Sequence, residues 1–213
     1  MIEHPFFCGT VYYGWLRCWR VSWESSGDYR FWCFLRNPCK AAVDSVAVVC
    51  LNPGSLSHAG KRLARDTTLR ALTNAFAPSS FHCLVLNLFD LSTTRPADLF
   101  TRWNERDSKC ATLIFTRLRM FSVAAYMMAY GDDHLSASGL ISSEVSRRIR
   151  AVEAKLSYLR PLPVLRNHSG NPKHPRRWQI EKLLPRCSSY LRSASSYSSR
   201  SLRPNHYEGS EVR

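Results

Sequence analysis

Apolar stretches recur along the chain, and each is bounded by residues typical of turns. Val46 to Leu51, Phe81 to Leu88 and Val123 to Ala129 are largely continuous apolar runs, the pattern of strands that are covered on both faces. A shorter run begins at Val164 and Leu165. We therefore expect a series of buried strands, the last of them at this short run.

Helical patterns lie between these runs. Asp66 can cap a helix that begins near Thr67, because its carboxylate can accept hydrogen bonds from exposed amides of the first turn. Further helices are predicted around Ala97 to Phe100, over Ser108 to Met120 and over Ser142 to Leu159. Strands that alternate with helices predict an α/β fold with a mainly parallel sheet flanked by helices on both faces.

The N-terminal part follows a different pattern. Val11 to Trp23 and Tyr29 to Leu35 are rich in aromatic and β-branched residues, and turn-forming residues from Glu24 to Asp28 separate them. This pattern predicts an antiparallel hairpin at one edge of the sheet. Residues 1–178 are expected to form a single α/β domain, because 213 residues are too few for two full domains and a tail.

The rest of the chain, 179–213, is rich in Ser, Arg and Tyr and is expected to be a disordered basic tail. The formal net charge of the whole chain is +14, and so large an excess of Lys and Arg attracts polyanions. DNA or RNA is therefore the first partner to consider. The alternative is that the charge belongs to solvated surface and tail. Oligomeric state is not indicated.

The eight cysteines show no C-x-x-C pair, which argues against a zinc site and a disulfide framework, and no cofactor is indicated. Cys50 and Cys83 lie in apolar runs and are expected to be core residues. No run approaches the roughly 20 apolar residues of a membrane helix, and no signal peptide is visible, so a cytoplasmic protein without a membrane partner is expected.

Polar residues follow three of the expected strands, namely Asn52, Asn87 and the pair Tyr130-Gly131. In open parallel sheets ligands bind at the carboxyl ends of strands, so these residues are expected to converge on a ligand. An Asn side chain can recognise an amide-like base edge or orient a water molecule. Alternatively, Asn52 only starts a turn before Pro53.

Two loops carry the candidate chemistry. In the first, small residues after Asn52 allow the backbone to approach a phosphate or a ring; these candidate ligand-binding residues are Pro53, Gly54 and Ser55. The second loop follows the last expected strand and suits phosphate contact or proton handling. Its candidates for nucleic-acid contact are Asn171, Lys173, Pro175, Arg176 and Arg177, with His174 as a candidate catalytic residue beside Asn52.

Several short motifs, in this order and spacing, resemble the bacterial and phage family called domain of unknown function sixteen-forty-three. The motifs are Tyr29-Arg30-Phe31, Leu35-Arg36, Leu51-Asn52-Pro53-Gly54-Ser55, Arg65-Asp66-Thr67-Thr68-Leu69-Arg70, Leu86-Asn87-Leu88-Phe89, Thr94-Arg95-Pro96-Ala97-Asp98-Leu99, Asn104, Tyr130-Gly131 and Gly170-Asn171-Pro172-Lys173-His174-Pro175. They span residues 29–178. The chain departs from the family with Thr67 in place of a usual Pro and Tyr130 in place of a usual Trp.

The layout of that family is more distantly similar to the uracil-DNA glycosylase superfamily, especially the mismatch-specific branch with its Gly-Ile-Asn-Pro-Gly loop. This resemblance implies a three-layer sandwich in which Asn52 would orient the attacking water. Asn171 to Pro175 would form the loop that grips DNA, and Asn87 would be a base-edge candidate by position. A carboxylate beside Asn52 is missing from the motif, and the nearest candidates are Asp66 and Asp90.

Three functions follow from these observations. The first is a protein that recognises a nucleic-acid or nucleotide base, and its enzymatic form would be a glycosylase-like hydrolase that cleaves the N-glycosidic bond of a modified base. The second is a binder or hydrolase of a free nucleotide or another small phosphorylated ligand. The third is a non-catalytic nucleic-acid-binding module. A pocket between Asn52 and His174 beside a basic groove would favour base recognition.

Overall fold

The computed structural model describes residues 9–39, 42, 44–54, 63–93, 96–102, 118, 121–136, 139–179 and 183. Its strands are β1 (Thr10–Leu16), β2 (Trp19–Ser26), β3 (Tyr29–Arg36), β4 (Asp44–Cys50), β5 (Phe81–Asn87), β6 (Val123–Met128) and β7 (Arg160–Pro161). Its α-helices are α1 (Thr67–Phe76), α2 (Pro96–Arg102) and α3 (Gly139–Leu156). The helix expected over Ser108 to Met120 and most of the expected tail lie outside these residues.

The strands form one sheet in the order β1-β2-β3-β5-β4-β6-β7. The pairs β1-β2, β2-β3 and β3-β5 are antiparallel, and the pairs β5-β4, β4-β6 and β6-β7 are parallel. The antiparallel ladders hold more of the paired residues. The expected mainly parallel sheet between two helical layers, and with it the glycosylase-like three-layer sandwich, is therefore wrong: the sheet is mixed, and the described chain contributes three α-helices to it.

One reason why the sheet was predicted wrongly is a turn that no residue type in the sequence indicates. Val11 to Trp23 does not form one strand, because a two-residue turn at Arg17 and Cys18 separates β1 from β2 and adds an antiparallel strand. Arg17 has a φ of 55°, in the left-handed region that Gly or Asn usually occupies. Because neither Gly nor Asn stands at this point, the turn could not be predicted from the residue types.

The expected strand at Val164 and Leu165 is also wrong. The last strand lies earlier, at Arg160–Pro161, where it pairs with β6. Leu162 and Leu165 lie in an irregular segment and are buried in the core. Their burial explains why they are apolar although they do not form a strand.

Two buried clusters cover the two faces of the sheet. On one face, Leu69, Leu72 and Phe76 of α1 pack against Val46, Val48 and Cys83. On the other face, Leu99 of α2 and Val145, Val152 and Leu156 of α3 pack with Ala47, Val49 and Leu86. Complete burial of Cys50 and Cys83 confirms that they are core residues, and burial raises the pKa of the Cys50 thiol to about 12. No described helix is long and apolar enough to cross a membrane.

Candidate ligand-binding site

The three parallel strands β4, β5 and β6 end at the same edge of the sheet. Cys50 pairs with Asn87, and Val49 pairs with Met128, so the segments that follow these strands leave the sheet side by side. Asn52 follows β4 by two residues, and Gly131 follows β6 by three. The edge where the sequence analysis placed its candidates is thus a real feature of the fold, and it is the edge at which parallel sheets bind ligands.

The segment after β5 holds the first loop in place. The Leu88 and Phe89 amides donate to the carbonyls of Cys50 and Leu51, at 2.9 and 3.0 Å. The Thr93 amide donates to the Pro53 carbonyl at 3.1 Å. With their backbone carbonyls bonded in this way, residues 50–53 have a defined conformation that can position the Asn52 side chain.

The Asn52 amide has a fixed orientation. Its Nδ2 donates to Oγ1 of Thr93 at 2.9 Å and lies 3.2 Å from the Pro53 carbonyl oxygen. Because a carbonyl can only accept hydrogen bonds, the nitrogen must face these groups and Oδ1 must point away. Within the described residues Oδ1 accepts no hydrogen bond from the protein. The side chain of Asn52 thus stabilises the loop through Nδ2 and directs Oδ1 away from these two partners.

Asp66 lies beside this loop. A Cβ atom built on Gly54 would be 3.8 Å from Oδ2 of Asp66. The other carboxylate oxygen accepts from the Leu69 amide at 2.9 Å, which confirms Asp66 as the N-cap of α1. Oδ2 of Asp66 lies 3.7 Å from Nη1 of Arg30, and both side chains are largely buried. The carboxylate is thus engaged in a cap and an ion pair, which disfavours Asp66 as the general base.

Arg30 is 4% exposed, and its Nε and Nη1 have no hydrogen-bond partner among the described residues. A buried guanidinium is costly without an opposite charge, so Asp66 compensates for it. The positive charge of Arg30 also acts on the Cys33 and Cys50 thiols, where it opposes part of the rise in pKa that burial causes. The sequence analysis did not select Arg30, because nothing in its sequence context shows that it is buried.

The second loop is attached to the end of β6. The Gly131 amide donates to the Pro172 carbonyl at 3.0 Å, and Nδ2 of Asn171 donates to Asp132 at 2.9 Å. Gly131 has a φ of 75°, and a Cβ atom there would come within 3.2 Å of Cβ of His174. Glycine is therefore required at this position twice over, for its conformation and for the close approach of His174.

A cleft of about 420 Å³ opens between these two segments. Its lining residues are Gly131, Asp132, Asp133, Asn167, His174, Arg176 and Arg177. Arginines and aspartates thus share one pocket. Hydrogen bonds donated by Ser169 and Asn171 lower the pKa of the Asp132 carboxyl. The cleft can bind a ligand that combines an anionic group with hydrogen-bond donors.

His174 lines the cleft as a neutral side chain. Burial and the nearby charges of Arg176 and Arg177 lower its pKa to about 4. Its Nδ1 accepts from the Arg176 amide at 3.3 Å, which leaves the proton on Nε2. His174 is therefore a hydrogen-bond donor at neutral pH, and a cationic phosphate contact or a general acid at that pH is disfavoured.

The remaining sequence-derived candidates lie in several environments. Asn87 and Tyr130 are 2% and 8% exposed, so a bound base cannot stack on Tyr130 in this conformation. Pro175 is buried, the Asn171 side chain is bonded to Asp132, and Lys173 binds Leu165 through its backbone amide. These contacts help to fix the loop. The side chain of Lys173 is half-buried, and Arg176 and Arg177 are exposed in the cleft. Ser55 lies outside the described residues.

The sequence analysis missed three residues of the cleft, namely Asp132, Asp133 and Asn167. The acidic pair directly follows Gly131, one of the candidates, so proximity to a strand end could have selected it. Asn167 had no such signal, because it enters the cleft through the turn in which the Gly170 amide donates to its carbonyl.

The sequence shows no significant similarity to any curated protein. A family model described as "Protein of unknown function (DUF1643)" matches residues 30–176. The match begins within β3 and ends inside the cleft, so it covers both candidate loops but not β1 and β2. The family expected from the motifs is confirmed: this chain belongs to the DUF1643 family of proteins of unknown function.

Proposed function

We propose that this protein binds a nucleotide unit, either free or within a nucleic acid, in the cleft beside His174. The main support for the proposal is the composition of the cleft, in which Arg176 and Arg177 line the same space of about 420 Å³ as Asp132 and Asp133. Ligand pockets of roughly 300 to 1,000 Å³ are typical of small molecules, and a nucleotide is in that size class.

Each side of the cleft suits one part of a nucleotide. Guanidinium groups bind phosphate oxygens through paired, charge-assisted hydrogen bonds, which assigns the phosphate to Arg176 and Arg177. Carboxylates accept hydrogen bonds from sugar hydroxyls, as acidic residues do in dinucleotide-binding folds. The Nε2–H of His174 is a neutral donor for a phosphate oxygen or a base carbonyl between them. A nucleotide therefore offers partners for the arginines, the aspartates and His174 of the cleft.

Calorimetric titration with nucleoside 5′-monophosphates tests this proposal, with nucleosides, inorganic phosphate and short oligonucleotides as comparison ligands. We expect nucleotides to bind more tightly than nucleosides or phosphate alone. Arg176→Gln should weaken nucleotide binding about 10- to 100-fold, since it removes a charge-assisted contact. Arg150→Gln is the matched control, because Arg150 is an exposed arginine of α3. Equal affinity in the Arg176→Gln and control variants, or no nucleotide binding by the wild type, would refute the proposal.

A second candidate function is hydrolysis of the N-glycosidic bond of a bound nucleotide, with Asn52 orienting the water. The outward-facing Oδ1 of Asn52 favours it, because the Thr93 contact leaves this oxygen available to accept from a water molecule. Asn52 does not line the cleft itself. The bound nucleotide would therefore have to extend from the cleft along the strand ends, so that its glycosidic bond lies beside Asn52.

Asn52→Ala should then lower turnover about 100-fold and leave substrate binding nearly unchanged, because the water is positioned only for the chemical step. The measurement is the release of abasic sites from single strands and duplexes that carry damaged, deaminated or otherwise modified bases. A folded Asn52→Ala variant with full activity would remove Asn52 from the mechanism. If the wild type processes none of these substrates, binding without catalysis is the function that remains.

A further inference from the structure

Two exposed aromatic side chains lie side by side on the outermost strand. Tyr13 and Trp15 of β1 are 66% and 68% exposed, the highest values among the large hydrophobic side chains of the described chain. They are two residues apart on a strand, so they point to the same face with Cα atoms about 6.8 Å apart. Single exposed hydrophobic residues are common on proteins, but an adjacent aromatic pair on one face suggests a binding surface.

The neighbouring strands add positive charge to this face. Trp15 pairs with Arg20 on β2, and Arg20 pairs with Arg36 on β3, so the three side chains form a row across the sheet. Arg20 and Arg36 are exposed, and neither forms an ion pair within the described part of the chain. The Arg20 guanidinium also lies 5.8 Å from the Tyr13 ring centroid. We call Tyr13, Trp15, Arg20 and Arg36 the aromatic–arginine face.

The row beside this face is also aromatic. Tyr13 pairs with Ser22, which pairs with Phe34 on β3. Phe34 is partly exposed and packs edge-on against His82 of β5, with ring centroids 5.5 Å apart. The carboxylate of Glu24, two residues from Ser22 on β2, is buried and accepts a hydrogen bond from Nε1 of Trp32, whereas both arginines are exposed. The face is therefore cationic as well as aromatic.

We propose that the aromatic–arginine face binds single-stranded nucleic acid, with bases stacked on Tyr13 and Trp15 and the backbone bound by Arg20 and Arg36. Aromatic side chains that alternate with cations are the arrangement by which sheet surfaces bind single strands, because any unpaired base can stack and the phosphates follow the charged groups. A duplex does not fit this surface in the same way, because its bases are already stacked on one another.

Charge also distinguishes nucleic acid from the other possible occupant, a second copy of this chain. Two copies placed face to face would bring two cationic surfaces, with four exposed arginines, into one interface, and like charges held close together oppose association. A polyanion instead neutralises both arginines and the +14 charge of the chain.

This face is separate from the cleft. β1, which carries Tyr13 and Trp15, is five strands away from β6, the strand that leads into the cleft, and β3, which carries Arg36, is three strands away. At the usual strand spacing of about 4.8 Å these separations are roughly 24 and 14 Å. The inference does not rest on the proposed function of the cleft, and the two can be tested separately.

The test is fluorescence anisotropy of the full-length protein with a labelled single strand of about twelve nucleotides and with the corresponding duplex. We expect the single strand to bind more tightly. Tyr13→Ala and Trp15→Ala should each weaken single-strand binding about 5- to 150-fold, the range that the loss of one base-stacking contact gives. Tyr158→Ala, which removes another exposed aromatic side chain, is the matched control and should bind like the wild type.

Because Tyr13 and Trp15 are about two-thirds exposed, their replacement should leave the fold intact, and a thermal melt checks this. The proposal is overturned if the folded double variant Tyr13→Ala/Trp15→Ala binds the single strand as well as the wild type does. It is also overturned if the duplex binds as tightly as the single strand, or if the variants abolish only self-association in a sedimentation experiment. Mononucleotide binding in the cleft should be unchanged in the double variant, so failure of one proposal is distinguishable from failure of the other.

Discussion

At the scale of single residues, the protonation state of His174 affects the charge of the cleft and the hydrogen bonds that it can form with a ligand. The second loop buries the imidazole beside two arginines, and both burial and the positive charges favour the neutral form. A neutral imidazole with its proton on Nε2 donates one hydrogen bond and adds no charge to the cleft. Recognition of an anionic ligand therefore depends on Arg176 and Arg177, and we expect it to be insensitive to His174 titration above about pH 6.

The same pKa shift makes stability depend on pH. The folded-state pKa of His174 is about 4, and that of an unfolded His is about 6.5, so between these values the unfolded chain binds a proton that the folded chain does not. The free energy of unfolding should therefore fall as the pH drops through this window. From pH 7 to pH 5 the contribution of His174 is about 2 kcal/mol.

Urea denaturation of the wild type and of His174→Asn at both pH values measures this contribution. Asn cannot titrate, yet its side-chain oxygen can replace Nδ1 as acceptor for the Arg176 amide. The wild type should lose more stability than the variant, while His82 and His134, whose pKa values are also lowered, act equally in both proteins. Parallel losses in the two proteins would contradict the assignment.

The same scale explains which site residues the sequence could predict. Asn52 and Gly131 could be selected because each follows an apolar run, and such a position defines the ligand-binding edge of a sheet. Arg30 could not be selected, because its burial depends on contacts with Asp66, which is distant in sequence. Asp132 directly follows Gly131 and could have been selected on the same ground, but its bonds to Ser169 and Asn171 of another loop could not be foreseen.

At the scale of secondary-structure elements, local signals placed the central strands and the first helix correctly, whereas the strand expected at Val164 and Leu165 and the pairing of the strands were wrong. The apolar runs located β4, β5 and β6 to within two residues, and the Asp66 cap gave the first residue of α1. The pairing of β3 with β5 could not be deduced, because the apolar pattern of a strand shows that the strand is buried but not which strand lies beside it. The tight turn at Arg17 had no glycine or asparagine to indicate it.

At the scale of the whole molecule, the two proposed binding regions lie on different groups of strands in one sheet. The aromatic–arginine face lies on the antiparallel strands β1 to β3, and the cleft lies at the carboxyl end of the parallel strands. The turn at Arg17 that divides the N-terminal segment also brings Trp15 beside Arg20. The feature that the sequence analysis missed is therefore the feature that creates the aromatic–arginine face.

A net charge of +14 predicts that nucleic-acid binding weakens as salt concentration rises, because each phosphate that the protein neutralises releases condensed counterions. For a single strand, the logarithm of the association constant should fall with the logarithm of salt concentration by about 0.7 for each phosphate bound. If Arg20 and Arg36 bind one phosphate each, the variant Arg20→Gln/Arg36→Gln should reduce this slope by about 1.4.

The control for that measurement is Arg70→Gln/Arg150→Gln, which removes the same charge from exposed positions of α1 and α3. If only the overall charge of the molecule matters, both double variants will change the salt dependence equally, and the assignment to Arg20 and Arg36 fails. If the contacts are local, the control keeps the wild-type slope and the Arg20→Gln/Arg36→Gln variant alone loses part of it. Binding that is absent at low salt, or constant across the titration, would contradict nucleic-acid binding by this protein altogether.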